Sequence, residues 1–418
     1  MSTRHIFILG LLYSSNAVAE DQSPGLKVKP SISMGGEYRS NLYLDEGEAG
    51  GGDPVVSGTA VLLNPVLMVQ QNSNALQLKL GAGYGARRFV ESNLQNLNTF
   101  NDAQANVKLH ILPSAPVGFQ ITDGFSSNNR PVNQPAAESA LLRVYDNKMN
   151  AGLIIGGSNA FHLNLSGIYN YRQVNGIKDK QGVQEMINQR NTMGAGWGVS
   201  WKFLPKTSVF LDGSYLQNKW TNDVLDTSGG VDCTEDCSIT VQDSSAWYSV
   251  VGIEGQMTPK TLMKIGVGAG GSTYGDAKAA DTSTEDKVSG LAESLRVEAG
   301  LRIAPTSTQQ FRLEFQRAFQ DVYFTNYEIY NQVEVAYELQ MLDRIGFESS
   351  FRYRNDNYDG PVDRTDHRLF AKGGLNIEVM DHMAVQSSVN WRRLASADGI
   401  AEIEYDDLGV VFGVNWGF

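Results

Sequence analysis

Residues 404–418 read Glu-Tyr-Asp-Asp-Leu-Gly-Val-Val-Phe-Gly-Val-Asn-Trp-Gly-Phe. From Leu408 onward the even positions Leu408, Val410, Phe412, Val414, Trp416 and Phe418 are apolar, while the odd ones include Gly409, Gly413, Asn415 and Gly417. Successive side chains of a strand point to opposite faces, so a period of two marks a β-strand with one apolar face.

The same alternation recurs upstream. Strands are predicted to begin near Ser31, Val56, Ala75, Asn101, Val117, Leu142, Phe161, Asn191 and Thr207, then near Ser245, Leu262, Leu291, Gln309, Tyr327, Arg344, Arg368, Met383 and Glu404. Their connections sort into two kinds. Short ones fall at Asn72 to Asn74, Pro113 to Pro116, Gly156 to Asn159, Pro205 to Lys206, Thr258 to Lys260, Pro305 to Thr308, Met341 to Asp343 and Met380 to His382. Between them lie longer ones at Leu44 to Pro54, Ser127 to Ser139, Gln173 to Ile187, Thr221 to Asp243, Gly275 to Gly290 and Asn355 to Asp366. This is the pattern of an all-β, closed, transmembrane antiparallel β-barrel of about 18 strands, with short periplasmic turns and long extracellular loops. A soluble β-sandwich or propeller would not explain it. Pro65 lies inside the second strand, where a missing N–H predicts a bend or bulge.

The N-terminus reads as an export signal over residues 1–19: Arg4, an apolar run from Ile6 to Tyr13, and Ala17 and Ala19 before the expected cleavage. That run is far below the roughly 20 residues a membrane helix needs. Residues 20–418 are then expected to form the barrel. A chain of 418 residues is long for one soluble domain, where about 150 is usual, yet no linker divides it. The mean hydropathy of -0.27 looks soluble, but alternating lipid-facing and lumen-facing positions average out in the same way. A net charge of -12 argues against nucleic acid or anionic lipid as the main partner. The two cysteines, Cys233 and Cys237, read as a disulfide within one loop.

With the apolar face assigned to lipid, the opposite face must line the interior. Arg296, Glu298 and Arg302 alternate with Leu295, Val297 and Leu301, and Arg312, Glu314 and Gln316 with Phe311, Leu313 and Phe315. Glu334, Glu338, Glu348, Arg352, Lys372, Glu378 and Arg392 continue the series, with Gln386 and Asn390. Each Arg or Lys facing lipid near mid-membrane would cost about 2–4 kcal/mol, so the interior is expected to be wet, as it is in barrels of this width unless plugged. Two readings of the charges stay open: a transport pathway, or opposite charges that zip adjacent strands together. The inward Arg and Glu nearly balance, so weak cation preference at the outer mouth is expected. Gly81, Gly83 and Gly85, and Gly194, Gly196 and Gly198, suit sharp curvature or an inserted loop. Trp201, Phe203 and Phe418 at periplasmic ends, and Tyr215, Trp220 and Trp391 near outer ends, would form two aromatic girdles.

Catalysis finds little support. His110 and His162 are predicted inward near the periplasmic end, but no Ser or Asp stands out as the partner a nucleophilic site needs. Asn355, Asn357, Asp359 and Asp366 loosely mimic a calcium loop but lack the bidentate Glu, and a polar surface turn is the plainer reading. Acidic loops such as Asp45 to Asp53 could hold divalent ions bridging lipopolysaccharide.

A strand ending in Phe418 after Trp416 resembles the C-terminal signal that the barrel assembly machinery reads. Pro30-Ser31, Glu37-Tyr38-Arg39-Ser40-Asn41, Asn64-Pro65, Arg364-Thr365-Asp366 and Tyr405-Asp406-Asp407 together resemble a family of outer-membrane β-barrel porins associated with exopolysaccharide gene clusters. That resemblance implies a channel in the cell outer membrane serving as the exit for an exported polysaccharide, with a separate periplasmic export protein as partner. The alternatives are a general porin for small hydrophilic solutes and a structural anchor for an adhesion or motility machine.

Overall fold

The computed structural model describes residues 25–41, 55–92, 94, 102–128, 142–156, 160–177, 184–221, 225–226, 238–239, 243–274, 287–288, 294–321, 327–342, 344–359, 364–399 and 404–418. The expected export signal, Cys233, Cys237 and the Asp45 to Asp53 loop lie outside them.

Among the described residues, the long strands are β1 (Gly25–Arg39), β2 (Gly58–Asn72), β3 (Leu76–Phe89), β4 (Asp102–Ile111), β5 (Val117–Asn128), β6 (Leu142–Ile155), β7 (Phe161–Ile177), β8 (Gln184–Leu204) and β9 (Thr207–Trp220). They continue as β10 (Ser244–Thr258), β11 (Thr261–Tyr274), β12 (Leu295–Thr306), β13 (Gln309–Asp321), β14 (Tyr327–Met341), β15 (Ile345–Asp359), β16 (Arg364–Met380), β17 (Met383–Gly399) and β18 (Glu404–Gly417). Each pairs antiparallel with its neighbours, and β1 closes onto β18 from Ser31 opposite Gly417 to Arg39 opposite Gly409. A two-residue piece, Lys287–Val288, also joins the sheet beside β11. Among the described residues closure leaves no edge strand, as the bilayer requires because hydrocarbon cannot satisfy a free N–H or C=O.

The short connections fall where alternation breaks at turn residues. At the β6–β7 turn Gly156 has φ of 114°, and an added Cβ would stand 2.0 Å from the Phe161 carbonyl oxygen, so no other residue fits. On the opposite end the sequence reading needs correction. Gln173 to Ile187 is mostly ladder, because β7 runs to Ile177 and β8 starts at Gln184 rather than near Asn191. Asn355 to Asp366 is likewise strand on both sides. Where strands rise above the lipid both faces are wet, so the alternation that marks them disappears. Pro65 makes no bulge: it stays opposite Ile32, while toward β3 the ladder steps from Leu63–Ala86 to Val66–Gly83 without a change of register.

The outward face carries the large apolar residues, with Val251, Val267, Leu313, Phe351 and Phe412 each between 37% and 56% exposed. So much exposed apolar surface belongs against acyl chains. Trp201 and Phe203 pair at 6.1 Å, and Trp416 and Phe418 stack at 6.0 Å, at the periplasmic rim. Trp220 does not join the outer girdle. It faces inward, and the Arg190 guanidinium lies over its ring at 5.3 Å. Polar groups on the outward face satisfy one another: Asn147 donates to Asp123 at 3.0 Å, and Arg317 to Asn331 at 2.9 Å.

Among the described residues β12 begins lower on the outer side than its neighbours. Pairing of β11 with β12 ends at Ala269 opposite Leu295, and above that point the outer end of β13 leans across β11. Phe319 packs with Tyr274 and Tyr327, over Gly270, where a Cβ would come within 2.7 Å of the Phe319 ring.

Candidate functional site

The barrel encloses a cavity of about 3150 Å³. All twelve residues expected to face inward, from Arg296 through Arg392, border it. The inward glycines are covered by neighbouring side chains: Asn106 lies over Gly81, Gln104 over Gly83 and Ser166 over Gly196.

Many of the charges are paired across strands. Lys264 meets Glu298 at 2.8 Å; Glu334 is held by Arg352 at 2.8 Å and Arg312 at 3.7 Å; Lys372 bonds Glu348. Two longer chains run near the outer ends. In one, Arg354 bridges Glu328 and Asp356, Arg368 reaches Asp356 at 2.8 Å and Asp366 at 3.8 Å, and Arg364 adds 2.7 Å to Asp366. In the other, Arg392 and Arg39 flank Asp407 at 3.4 and 3.1 Å, and Glu37 continues to Arg87 at 3.1 Å, which carries the chain across the β1–β18 closure. Asp356, Asp366 and Asp407 are fully buried. Strand zipping thus accounts for much of the inward charge.

The outer end of β13 is held against the inner wall. Asp321, at its outer end, accepts hydrogen bonds from Asn218 of β9, Ser244 of β10, and Ser272 and Tyr274 of β11, the last two at 3.5 and 2.8 Å. These donors stand on the inner faces of three other strands, so the carboxylate ties the end of β13 across the wall. A general porin would need a constricting inward loop, for which Ser127 to Ser139 is the early candidate in the sequence, a stretch mostly outside the described residues. Asp321→Ala is expected to free the end of β13 and raise the mean and variance of single-channel current in planar bilayers. An unchanged trace would show that Asp321 does not hold this end across the passage.

Of the four residues considered for calcium, the three whose side chains are described do not come together. Asn355 and Asn357 alternate onto the outward face of β15, where Asn357 accepts from Thr365 at 3.2 Å. Asp366 stands opposite Asp356 on the inward face, bonded by Arg364 and Ser396. The Asp359 side chain lies outside the described residues. Among the described residues His110 Nε2 is buried without a hydrogen-bond partner.

A closed barrel of long strands, apolar outside and charged within, defines an outer-membrane β-barrel of the porin class. The family model described as putative beta-barrel porin 2 matches residues 26–417, and the chain belongs to that family. No curated protein matches it. Similar solved structures include the outer membrane protein OpdK of Pseudomonas aeruginosa, at 10% identity and TM-score 0.47 over 94% of this chain and 99% of that one. A mutant of the ferric enterobactin receptor PfeA from the same species gives 8% and 0.48 over 95% and 82%. The FrpB iron transporter of Neisseria meningitidis gives 9% and 0.46 over 94% and 82%.

Proposed function

We propose that this outer-membrane barrel conducts rather than catalyses, and that it is the exit for an exported polysaccharide. The observation that supports this reading is the lining of the cavity, where amides recur around the wall: Asn150, Asn164 and Asn170 on one side, Gln316, Gln386 and Asn390 on the other. Neutral amides exchange hydrogen bonds with sugar hydroxyls and with water at similar free energy, so a hydrated polymer can slide without being trapped. On β14–β18 and β1 the paired charges stiffen the wall while leaving little net field on that side. A separate periplasmic export protein would deliver the polymer, and lipopolysaccharide would surround the outer rim.

A general porin for small solutes is the second reading, favoured by the end of β13 that Asp321 ties across the inner wall. Deleting the gene decides between them. The expected result is loss of surface polysaccharide with small-solute uptake intact. Full surface polymer with reduced nutrient permeability would replace the exit reading with the porin one.

A further inference from the structure

The charge on the inner wall is unevenly matched. On β14–β18 and β1 the arginines are bridged by carboxylates, as described above. Among the described residues, Arg172 of β7 and Arg190 of β8 are not. Arg172 of β7 stands directly opposite Arg190 of β8, and Lys148 of β6 lies one inward position below the row that pairs Asp146 with Arg172. All three border the cavity, and among the described residues no carboxylate bridges any of them. The Nε atoms of Arg172 and Arg190 are buried without a hydrogen-bond partner.

Placing three cations together, two of them in direct register, is unfavourable unless something answers their charge. The carboxylates within electrostatic reach of Arg190 are Asp146 and Asp321. Asp321 is committed to Asn218, Ser244, Ser272 and Tyr274, and Asp146 makes no ion pair with the arginine opposite it. Two guanidiniums side by side present forked donors that match a carboxylate, sulfate or phosphate in bidentate geometry. Beside them lie Asn170 and the Trp220 ring, groups that bind sugar hydroxyls and pack against a sugar face.

We propose that Lys148, Arg172 and Arg190 form an anion-binding subsite on the lumen wall that takes the carboxylate of an acidic sugar unit. The proposal rests on the polysaccharide reading and names its substrate class, an acidic polymer. It also replaces the expectation of weak cation preference, which came from counting inward charges without knowing which were paired.

The test is equilibrium binding to the full-length protein in detergent micelles, by calorimetry and Trp fluorescence. The probes are a uronic-acid trisaccharide, a neutral glucose trisaccharide of the same length, and inorganic sulfate. The acidic trisaccharide should bind at least about tenfold more tightly than the neutral one, and binding should weaken as salt rises. Arg172→Gln combined with Arg190→Gln should weaken it at least about tenfold, whereas Arg302→Gln, elsewhere in the lumen, should leave it unchanged. Heat-modifiable gel mobility confirms folding, and Lys148→Gln alone serves if the double variant does not fold.

Equal affinity for the neutral sugar, no binding by the wild type, or unchanged binding by the variants would overturn the subsite. Sulfate binding as tightly as the trisaccharide would overturn the sugar assignment. The export reading fails separately: a deletion strain with full surface polymer removes it even where the acidic trisaccharide binds.

Discussion

Asp407→Ala is expected to destabilise the barrel by about 3–5 kcal/mol, the usual cost of removing one partner from a buried ion pair. Asp407 is fully buried. Its oxygens take Arg39 at 3.1 Å and Arg392 at 3.4 Å, and the Asn41 backbone N–H at 3.3 Å. Alanine would leave Arg392 without this acceptor and Arg39 with Glu37 alone, at 3.6 Å. These residues sit on β17, β18 and β1, so the loss falls on the strands that close the barrel. Urea unfolding in lipid vesicles, followed by Trp fluorescence, measures it, with the neighbouring exposed Asp406→Ala as a control expected within about 0.5 kcal/mol of wild type. A loss below about 1 kcal/mol for Asp407→Ala would mean that the backbone ladder closes the seam without help from the charges.

Leu313→Arg should cost about 2–4 kcal/mol, the penalty for a cation on the lipid face near mid-membrane. Leu313 is 45% exposed on the outward side of β13, three residues before Gln316, which borders the cavity. Gln316→Arg places the same group in water and should be nearly neutral. The comparison tests the assignment of the two faces, since both substitutions add one guanidinium to one strand. Equal costs in vesicle unfolding would refute it. Salt offers a further check, because the penalty at Leu313 is one of desolvation and should not be screened away.

The sequence carried the barrel because alternation is a local property. Leu408 to Phe418 needs no knowledge of its neighbours to be read as a strand, and the inward set on β12–β17 follows from the same rule. What it could not carry was register. Arg172 and Arg352 look alike in a string of letters, each an inward arginine among polar residues. Glu334 stands opposite Arg352, while Arg190 stands opposite Arg172, and only that difference separates a zipped wall from an open cationic patch. Asp321 was missed for a related reason. It lies at a strand end, where the chain turns inward and alternation no longer says which way a side chain points. Trp220 was assigned to the outer girdle from its height, although its even position, shared with Asn218, already put it inside.

The low start of β12 bears on how the molecule moves. Opening costs least where cross-strand hydrogen bonds are fewest, and among the described residues the β11 strand above Ala269 has only the two-residue partner Lys287–Val288 on that side. Fraying of the hoop is therefore expected to start at this corner rather than at the well-matched β7–β8 or β16–β17 pairs. Asp321 with its ring of hydroxyls and amide sits over this corner, so Asp321→Ala is expected to loosen the wall there as well as to free the end of β13.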